Sequence, residues 1–419
     1  MYLSLSDRPT TDAPQQSRLR GVSRIVITLG MVSLLTDISS ESASAILPLY
    51  LTGVLGLSPI AYGFVDGLYQ GVSALVRIAA GWAADRTDRP MPVAFSGYAL
   101  SLVARVLMLV TTGFAGISAV VSLDRIGKGI RTAPRDAMIA ASSPPERLGR
   151  AFGVHRTLDT VGAAIGPLMA FVILWLIPGG YHTVLVASLG FSMLGVAALG
   201  LFVPVRTGGR ARRDRGRSGL DKLDHRGRRW REVATPGLVR TTAVAGVLGL
   251  LTVGDGFIYL ALLDRGGFAA HWFPVMYVGT NIAYLSLAVP LGRLADRIGR
   301  IRVLLLGHVP LAAAYVCAVY GHGAVGVIVA LALLGVFYAA TDGVLAAVSG
   351  RLVPERARST SIATAQTAVA IARLIASTAF GLLWYAVGPA HAMAGVAVAL
   401  AVAVPAGFAV LRNTEAPSR

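Results

Sequence analysis

Residues 81–89 read GWAADRTDR, and residues 292–300 read GRLADRIGR. The two stretches share a first glycine, a central Ala-Asp-Arg and a final arginine, and each follows the second long apolar run of its half of the chain. A further similarity lies in the same order, since PER at 145–147 returns at 354–356. Weak internal symmetry of this kind is typical of membrane folds that are built from repeats. The sequence therefore predicts two similar halves.

The composition indicates a membrane protein. Hydrophobic residues make up 55% of the 419 residues, charged residues only 14%, and the mean hydropathy is +0.66. Soluble proteins carry about 25% charged residues, and about 20 predominantly apolar residues cross a bilayer as a helix. Twelve candidate spans lie at roughly 25–53, 59–83, 91–113, 116–140, 151–177, 182–204, 238–263, 271–294, 302–320, 324–350, 359–386 and 391–411. We expect an all-α integral membrane protein with twelve transmembrane helices in two six-helix bundles.

One long polar segment divides the chain. It holds eleven Lys and Arg against four acids, which suits either a solvated linker or a segment that binds anionic lipid headgroups. Lys and Arg concentrate in alternate loops, and the remaining loops contain essentially Arg265 alone. Positively charged loops stay in the cytoplasm, so we expect both termini there and the protein in the cell (inner or plasma) membrane. The predicted parts are a tail at 1–23, a bundle at 24–204, the linker at 205–237, a second bundle at 238–411 and a tail at 412–419.

Several classes of function are disfavoured. The formal charge of +17 is explained by the basic loops, so no nucleic acid is expected. Cys317 is the only cysteine, which excludes an intramolecular disulfide and a multi-cysteine metal site. The seven histidines are scattered, and neither a phosphate-binding G-x-x-x-x-G-K-[ST] loop nor an H-E-x-x-H motif is present. We predict no metal, no cofactor and no enzymatic activity.

The chain resembles transporters of the major facilitator superfamily over nearly its whole length. The loop after the second span matches the family's G-x-x-x-D-R-x-G-R signature, complete at 292–300 and with Asp88 in place of a glycine at 81–89. In the fourth span, 124–129 (DRIGKG) is similar to the R-x-x-x-G motif, with Arg125 in the arginine position. The fifth span resembles the G-x-x-x-G-P motif of the antiporter branch through Gly162, Gly166 and Pro167, although the trailing glycine pair is absent. The resemblance implies transport by alternating access and favours antiport.

The resemblance also implies a conformational latch at the cytoplasmic ends of the bundles. A carboxylate in the Asp-Arg loop can accept hydrogen bonds from a helix N-terminus or pair with an arginine of another helix. The candidate partners of Asp85 are Arg131 and Arg135 of the fourth span and the start of the eleventh span near Ser359. The candidate latch residues are Gly81, Asp85, Arg86, Arg89, Arg131 and Arg135 in the first half, and Gly292, Asp296, Arg297 and Arg300 in the second.

The fourth span carries a stripe of charged residues. Asp124, Arg125, Lys128, Arg131 and Arg135 fall within about 120° of one helix face. Charges in contact with lipid are costly, so the stripe is expected to face a wet cavity or other protein groups. We expect Asp124 and Lys128 to neutralise each other at i,i+4; the other cations then bind an anionic substrate, serve a proton relay or pair with acids. The predicted cavity and substrate residues are Arg105, Asp124, Arg125, Lys128, Asp342, Gln366 and Arg373, the last with no acid nearby on its own helix.

Proton coupling is assigned to carboxylates inside the spans. Asp37 and Glu41 lie one turn apart in the first span, and Asp255 is their counterpart in the seventh. Two carboxylates so close in a low-dielectric medium cannot both ionise cheaply, so one is expected to exchange a proton during transport. The alternative is that Arg105 or Arg125 neutralises the pair.

These patterns predict a secondary active transporter that exports a small organic solute in exchange for protons. The many arginines leave open the uptake or export of an anionic metabolite or a siderophore-like solute. A receptor or scaffold that does not transport is the rival from another class, and it is disfavoured because an inert scaffold has no need of intramembrane charges. The expected partners are a small-molecule substrate, protons and membrane lipid, and a monomer is expected.

Overall fold

The first half of the protein consists of helices. The computed structural model describes residues 22–87, 90–144, 147–203, 235–354 and 357–412, and those ranges contain no strand. The first half comprises α1 (Arg24–Leu49, continued by the π-helical turn Tyr50–Val54), α2 (Pro59–Thr87), α3 (Pro90–Val110), α4 (Phe114–Ala141), α5 (Leu148–Leu176) and α6 (Tyr181–Phe202). Ser23 caps α1, because its hydroxyl accepts a hydrogen bond from the amide of Ile25. The predicted bundle therefore begins at a true helix N-terminus.

The second half is helical as well. It comprises α7 (Pro236–Leu250), α8 (Asp255–Gly266), a 3-10 turn (Ala270–Trp272), α9 (Phe273–Ile298), α10 (Arg300–Leu306), α11 (His308–Tyr320), α12 (Gly323–Arg351) and α13 (Arg358–Leu411). Thr235 caps α7 by accepting from the amide of Leu238 at 3.2 Å. The predicted tails and linker lie mostly outside the described residues.

Nine helical segments in the described ranges are long and apolar enough to cross a membrane. One of them, Thr360–Leu411, is broken at Gly388, whose φ of 80° and ψ of 164° are not helical. α2 and α4 are not among the nine; α4 carries the charged stripe predicted for the fourth span. Large apolar side chains on the periphery are exposed, including Leu201 at 78%, as expected of a surface that faces lipid. The protein is an all-helical, multi-pass membrane protein.

The helices form two bundles that touch along a few helices. In the first half, α1 packs on α5 and α6, and α4 packs on α2 and α3. In the second half, α12 packs on α9 and α11, and α13 packs on α7 and α11. The halves meet where α2 runs along α13 and where α5 contacts α9. Side chains on these helices therefore lie at the boundary between the bundles.

The predicted seventh span is interrupted rather than continuous. α7 ends at Leu250 and α8 begins at Asp255. The phenol of Tyr315 accepts from the amide of Val253 at 2.8 Å and donates to the carbonyl of Leu251 at 3.1 Å. Backbone groups released inside a membrane need protein partners because lipid offers none. The phenol of Tyr315 is the partner of both backbone groups, so the protein stabilises this break. The break places Asp255 at the start of α8.

Candidate functional site

A polar cavity lies between the two bundles. It has two adjoining lobes of about 720 and 370 Å³. Both are lined by Gln70 and Arg156 from the first half and by Tyr284, Asp342 and Arg373 from the second. Of the predicted cavity residues, Asp342, Gln366 and Arg373 line it, and so do the proton candidates Glu41 and Asp255.

The cavity is closed at one end by aromatic side chains. At the end of the smaller lobe, Tyr62 of α2 packs on Phe257 of α8 with ring centroids 4.6 Å apart. Phe257 also packs on Phe380 at 5.0 Å and on Trp384 at 5.3 Å. The larger lobe extends the other way, towards the end of α12 and the start of α13. The cavity therefore reaches towards the predicted cytoplasmic side and is blocked towards the predicted outer side.

Asp124 is the centre of a buried charge cluster. Its carboxylate lies 3.3 Å from Nη2 of Arg105 and accepts from Nε of Arg125 at 3.1 Å. The guanidinium of Arg125 also stacks 3.9 Å from the ring centroid of Tyr69, a cation–π contact. None of the three charged residues is more than 8% exposed, and none lines the cavity. The expectation that Asp124 pairs with Lys128 is wrong, because two arginines occupy its carboxylate.

Lys128 reaches the first helix instead. Its Nζ lies 3.6 Å from Oε1 of Glu41, and both side chains are partly exposed. Because Glu41 lines the smaller lobe, this ion pair lies at the cavity wall. Neither Arg105 nor Arg125 lies within ion-pair distance of Glu41 or Asp37, although Arg125 is close enough to Glu41 to interact with it electrostatically.

Asp37 is paired with a carboxyl of another helix rather than with Glu41. Its buried side chain lies beside that of Asp159 on α5, and Lys128, Arg131 and Arg135 are among the cations that surround it. Asp159 accepts from the hydroxyl of Ser33 at 2.8 Å. It also pairs with two arginines, Arg156 at 3.3 Å and Arg135 at 3.8 Å. The Arg156–Asp159 pair joins residues one turn apart on α5, whereas the spacing of residues gives no sign that Asp37 lies beside it.

The predicted latch arginines of α4 have partners among the described residues of the first bundle. Arg131 lies over the ring of Tyr98, 4.6 Å from its centroid, and donates to Ser101 at 3.4 Å. Arg135 pairs with Asp136 at 3.1 Å. Gly81, Asp85, Arg86 and Arg89 lie outside the described side chains. In the second copy, Arg300 pairs with Asp296 across Gly299 at 2.7 Å, so that contact is local to one loop.

Asp255 and Arg373 face the cavity from the second half. Asp255 accepts from the phenol of Tyr338 at 2.7 Å. Arg373 has Asp255 and Asp342 as its nearest acids, but neither lies within ion-pair distance. Its Nε is buried and has no hydrogen-bond partner among the described residues. Arg373 is therefore a cation in a wet cavity whose charge no described side chain neutralises directly.

The Gly-x-x-x-Gly-Pro segment joins α5 to α1. Gly162 packs on the backbone of Leu34, and Gly166 packs on Ile38 and Ser42. Small residues let membrane helices approach closely. The motif thereby places Asp159 of α5 against Asp37 of α1.

We expect Gly162→Ala and Gly166→Ala each to lower the free energy of unfolding by about 1–3 kcal/mol. A Cβ at Gly162 would lie 2.5 Å from the carbonyl of Leu34, and one at Gly166 would lie 2.8 Å from the amide of Ser42. Gly153→Ala, on the same helix with no atom within 4 Å of its Cβ, is the matched control. Titration of unfolding with denaturing detergent measures all three variants, and equal stability for all three would contradict the packing role.

Asp66 and the two tyrosines of the second half were missed as site residues. Asp66 was visible as a polar residue of the second span, with Gln70 one turn later, but no pattern assigned it a role. Its carboxylate accepts from Ser377 of α13 at 2.6 Å. Tyr315 and Tyr338 could not be found because their partners lie about sixty or more positions away.

The fold and its charged cavity between two bundles define a membrane transporter. The sequence model of the Major Facilitator Superfamily matches residues 29–280 and 263–419, and the chain belongs to that family. An uncharacterized MFS-type transporter of Methanocaldococcus jannaschii is 28% identical over 366 residues, covering 87% of this chain and 89% of that protein.

Solved structures of transporters share the fold. A POT family transporter in complex with 5-aminolevulinic acid aligns with a TM-score of 0.76 at 12% identity, over 93% of this chain and 96% of that chain. A bacterial homolog of the human lysosomal transporter Spinster, in an inward-facing and unoccupied conformation, aligns with a TM-score of 0.74 at 14% identity, over 97% and 100% of the two chains. At these identities the likeness concerns the fold alone.

Proposed function

We propose that the protein exports a small polar organic solute by alternating access, in exchange for protons. The observation that carries this proposal is the charged cavity at the boundary of the two bundles, blocked at one end and extended towards the other. Rocking of the bundles about α2–α13 and α5–α9 would expose the cavity to each side in turn.

The proposed topology has twelve crossings with both termini in the cytoplasm. The nine apolar segments include α13 as one. Dividing α13 at Gly388 adds one crossing, and α2 and α4 add two more. The proposed domains are the two bundles at 24–204 and 238–411, joined by the linker at 205–237. We place the protein in the cell membrane as a monomer in contact with lipid.

The first half carries the proposed proton site. Two carboxyls side by side, Asp37 buried and Asp159 partly buried, are stable together only when one of them holds a proton. Asp159 already accepts from Ser33 and Arg156, so we place the exchangeable proton on Asp37. When Asp37 loses it, its carboxylate competes with Glu41 for Lys128. The protonation state of Asp37 would thus change the charge of the cavity wall. Asp255 is a second proton candidate, in the other half.

A screen followed by flux measurements tests the proposal. The purified protein is screened against a solute library by thermal shift, and the hits are tested for counterflow in liposomes. Antiport predicts that an acidic lumen drives the solute inwards, whereas symport predicts uptake when the outer medium is the more acidic. Binding without counterflow would favour the receptor or scaffold and overturn the transport mechanism.

The second candidate is transport of a solute that carries a negative charge. Arg373 favours it, since its guanidinium faces the cavity with no acid at ion-pair distance among the described residues. The acids Asp255 and Asp342 nearby suit a solute that carries a positive group as well.

We expect Arg373→Gln to weaken binding of an anionic or zwitterionic hit by about 10- to 100-fold, the usual range for loss of a charge-assisted hydrogen bond. Arg373→Lys should retain part of the affinity. Arg265→Gln, at the exposed end of α8, is the control. Isothermal titration calorimetry measures the three dissociation constants. An unchanged dissociation constant for Arg373→Gln would show that Arg373 does not bind the solute.

A further inference from the structure

We infer that Asp66 is a positioning residue that keeps the predicted outer side closed by binding the interrupted seventh span of the opposite half. The inference rests on the proposed alternating access. α2, which carries Asp66, belongs to the first half, whereas α8 and α13 belong to the second. Opening the outer side must therefore separate Asp66 from its partners on both of these helices.

The carboxyl of Asp66 contacts two helices of the other half. Its Oδ2 accepts from the hydroxyl of Ser377 on α13 at 2.6 Å. The same oxygen lies against Gly254, the residue just before α8, so closely that no Cβ would fit there. One carboxyl thus joins three helices at the point where the seventh span is broken.

The break favours a negative group at this position. α8 has twelve residues, and its N-terminus carries a partial positive charge. Asp255, in the first turn, is engaged by Tyr338. Asp66 therefore brings a second carboxyl, from the opposite half, to the N-terminus of α8. This contact between the halves exists only while the outer side is closed.

The surrounding surface is shaped for close contact. Tyr62, one turn before Asp66, reaches Gly256 of α8 and packs on Phe257. Gly67 lies against the carbonyl of Leu374, where a Cβ would be 2.6 Å away. These contacts bring the backbones of α2, α8 and α13 together. The short side chain of Asp66 can then reach Ser377 and Gly254.

The groups that face Asp66 do not include a cation at ion-pair distance among the described residues. The titratable groups near it are Asp255 of α8, Tyr277 of α9 and Tyr62 of its own helix. The remaining polar neighbours are Ser377 and Gln70. The hydroxyl of Ser377 donates to this carboxyl and Gly254 lies against it, and both residues belong to the half that must move away.

The test measures the opening of the outer side directly and needs no substrate. Cys317, the only cysteine, is replaced by serine. Cysteines that carry the spin labels are introduced by Thr112→Cys and His322→Cys, at exposed positions at the predicted outer ends of the two halves. Pulsed electron paramagnetic resonance then gives the distance between the labels in lipid nanodiscs. We expect Asp66→Asn to raise the ratio of the long, open distance to the short, closed one by about tenfold or more, and Asp66→Glu to restore part of the closed population.

Two further variants test the contact from the opposite half, in case Asp66→Asn does not fold. Ser377→Ala removes the hydrogen bond, and Gly254→Ala puts a methyl group where the carboxyl lies; both should raise the open population. Gly246→Ala on α7, with no atom within 4 Å of its Cβ, and Asp264→Asn at the exposed end of α8 should leave it unchanged.

The outcomes separate this inference from the proposed function. If the original protein shows both distances and the variants do not change their ratio, Asp66 is only a hydrogen-bonded acid of the cavity wall and the inference is overturned. If no condition, including a bound solute from the screen, ever gives the long distance, alternating access itself fails.

Discussion

Asp124→Asn lowers the free energy of unfolding by about 3–5 kcal/mol, the expected result of removing one partner from a buried ion pair. The substitution keeps the size of the side chain but leaves Arg105 and Arg125 buried without their carboxylate. All three residues are at most 8% exposed. Since α3 and α4 are joined through this cluster, the loss should unfold the first bundle at lower denaturant. Titration of unfolding with denaturing detergent, followed by circular dichroism, measures the change.

A second variant separates the charge effect from packing. Asp124→Asn combined with Arg105→Met removes one of the two stranded cations, and we expect it to recover part of the lost stability. Asp264→Asn is the same change at an exposed position and should alter the free energy of unfolding by about 0.5 kcal/mol or less. Equal stability of Asp124→Asn and Asp264→Asn would show that the cluster does not stabilise the bundle.

Asp37→Asn should abolish the coupling of transport to the pH gradient while solute exchange at equal pH continues. An amide at position 37 cannot release the proton that we place on Asp37, so the Lys128 side chain would remain with Glu41 throughout the cycle. The measurement is accumulation of a solute from the screen in liposomes, with and without an imposed pH gradient. The variant should lose accumulation and retain counterflow.

Glu41→Gln is the companion change, because it frees Lys128 for Asp37 without removing the buried acid. It should alter the pH dependence of transport rather than abolish coupling. Asp264→Asn, at the exposed end of α8, is the control for loss of a carboxylate. If Asp37→Asn and Glu41→Gln both kept accumulation intact, the proton site would have to lie elsewhere, with Asp255 as the next candidate.

Spacing along one helix identifies one ion pair correctly and fails for another, and it identifies no pair between helices. Arg156 and Asp159 are three positions apart on α5, and their pair forms. Asp124 and Lys128 have equally good spacing, yet both pair with residues of other helices. Spacing states which side chains share a face, but it does not state which charges the neighbouring helices bring to that face. Arg105 of α3 and the adjacent Arg125 occupy the carboxylate of Asp124, and Glu41 of α1 pairs with Lys128.

The class of protein follows from the sequence because a bilayer permits few solutions. Long apolar runs must be helices, basic loops are predicted to stay on one side, and the repeat of 81–89 at 292–300 indicates two related bundles. Only the tertiary structure decided the site. It placed Asp66 beside Ser377, 311 positions away, and Asp37 beside Asp159. It also broke the seventh span at Gly254, where Tyr315 satisfies the freed backbone. The energies of such contacts depend on how whole helices pack, and no local pattern of residues records that packing.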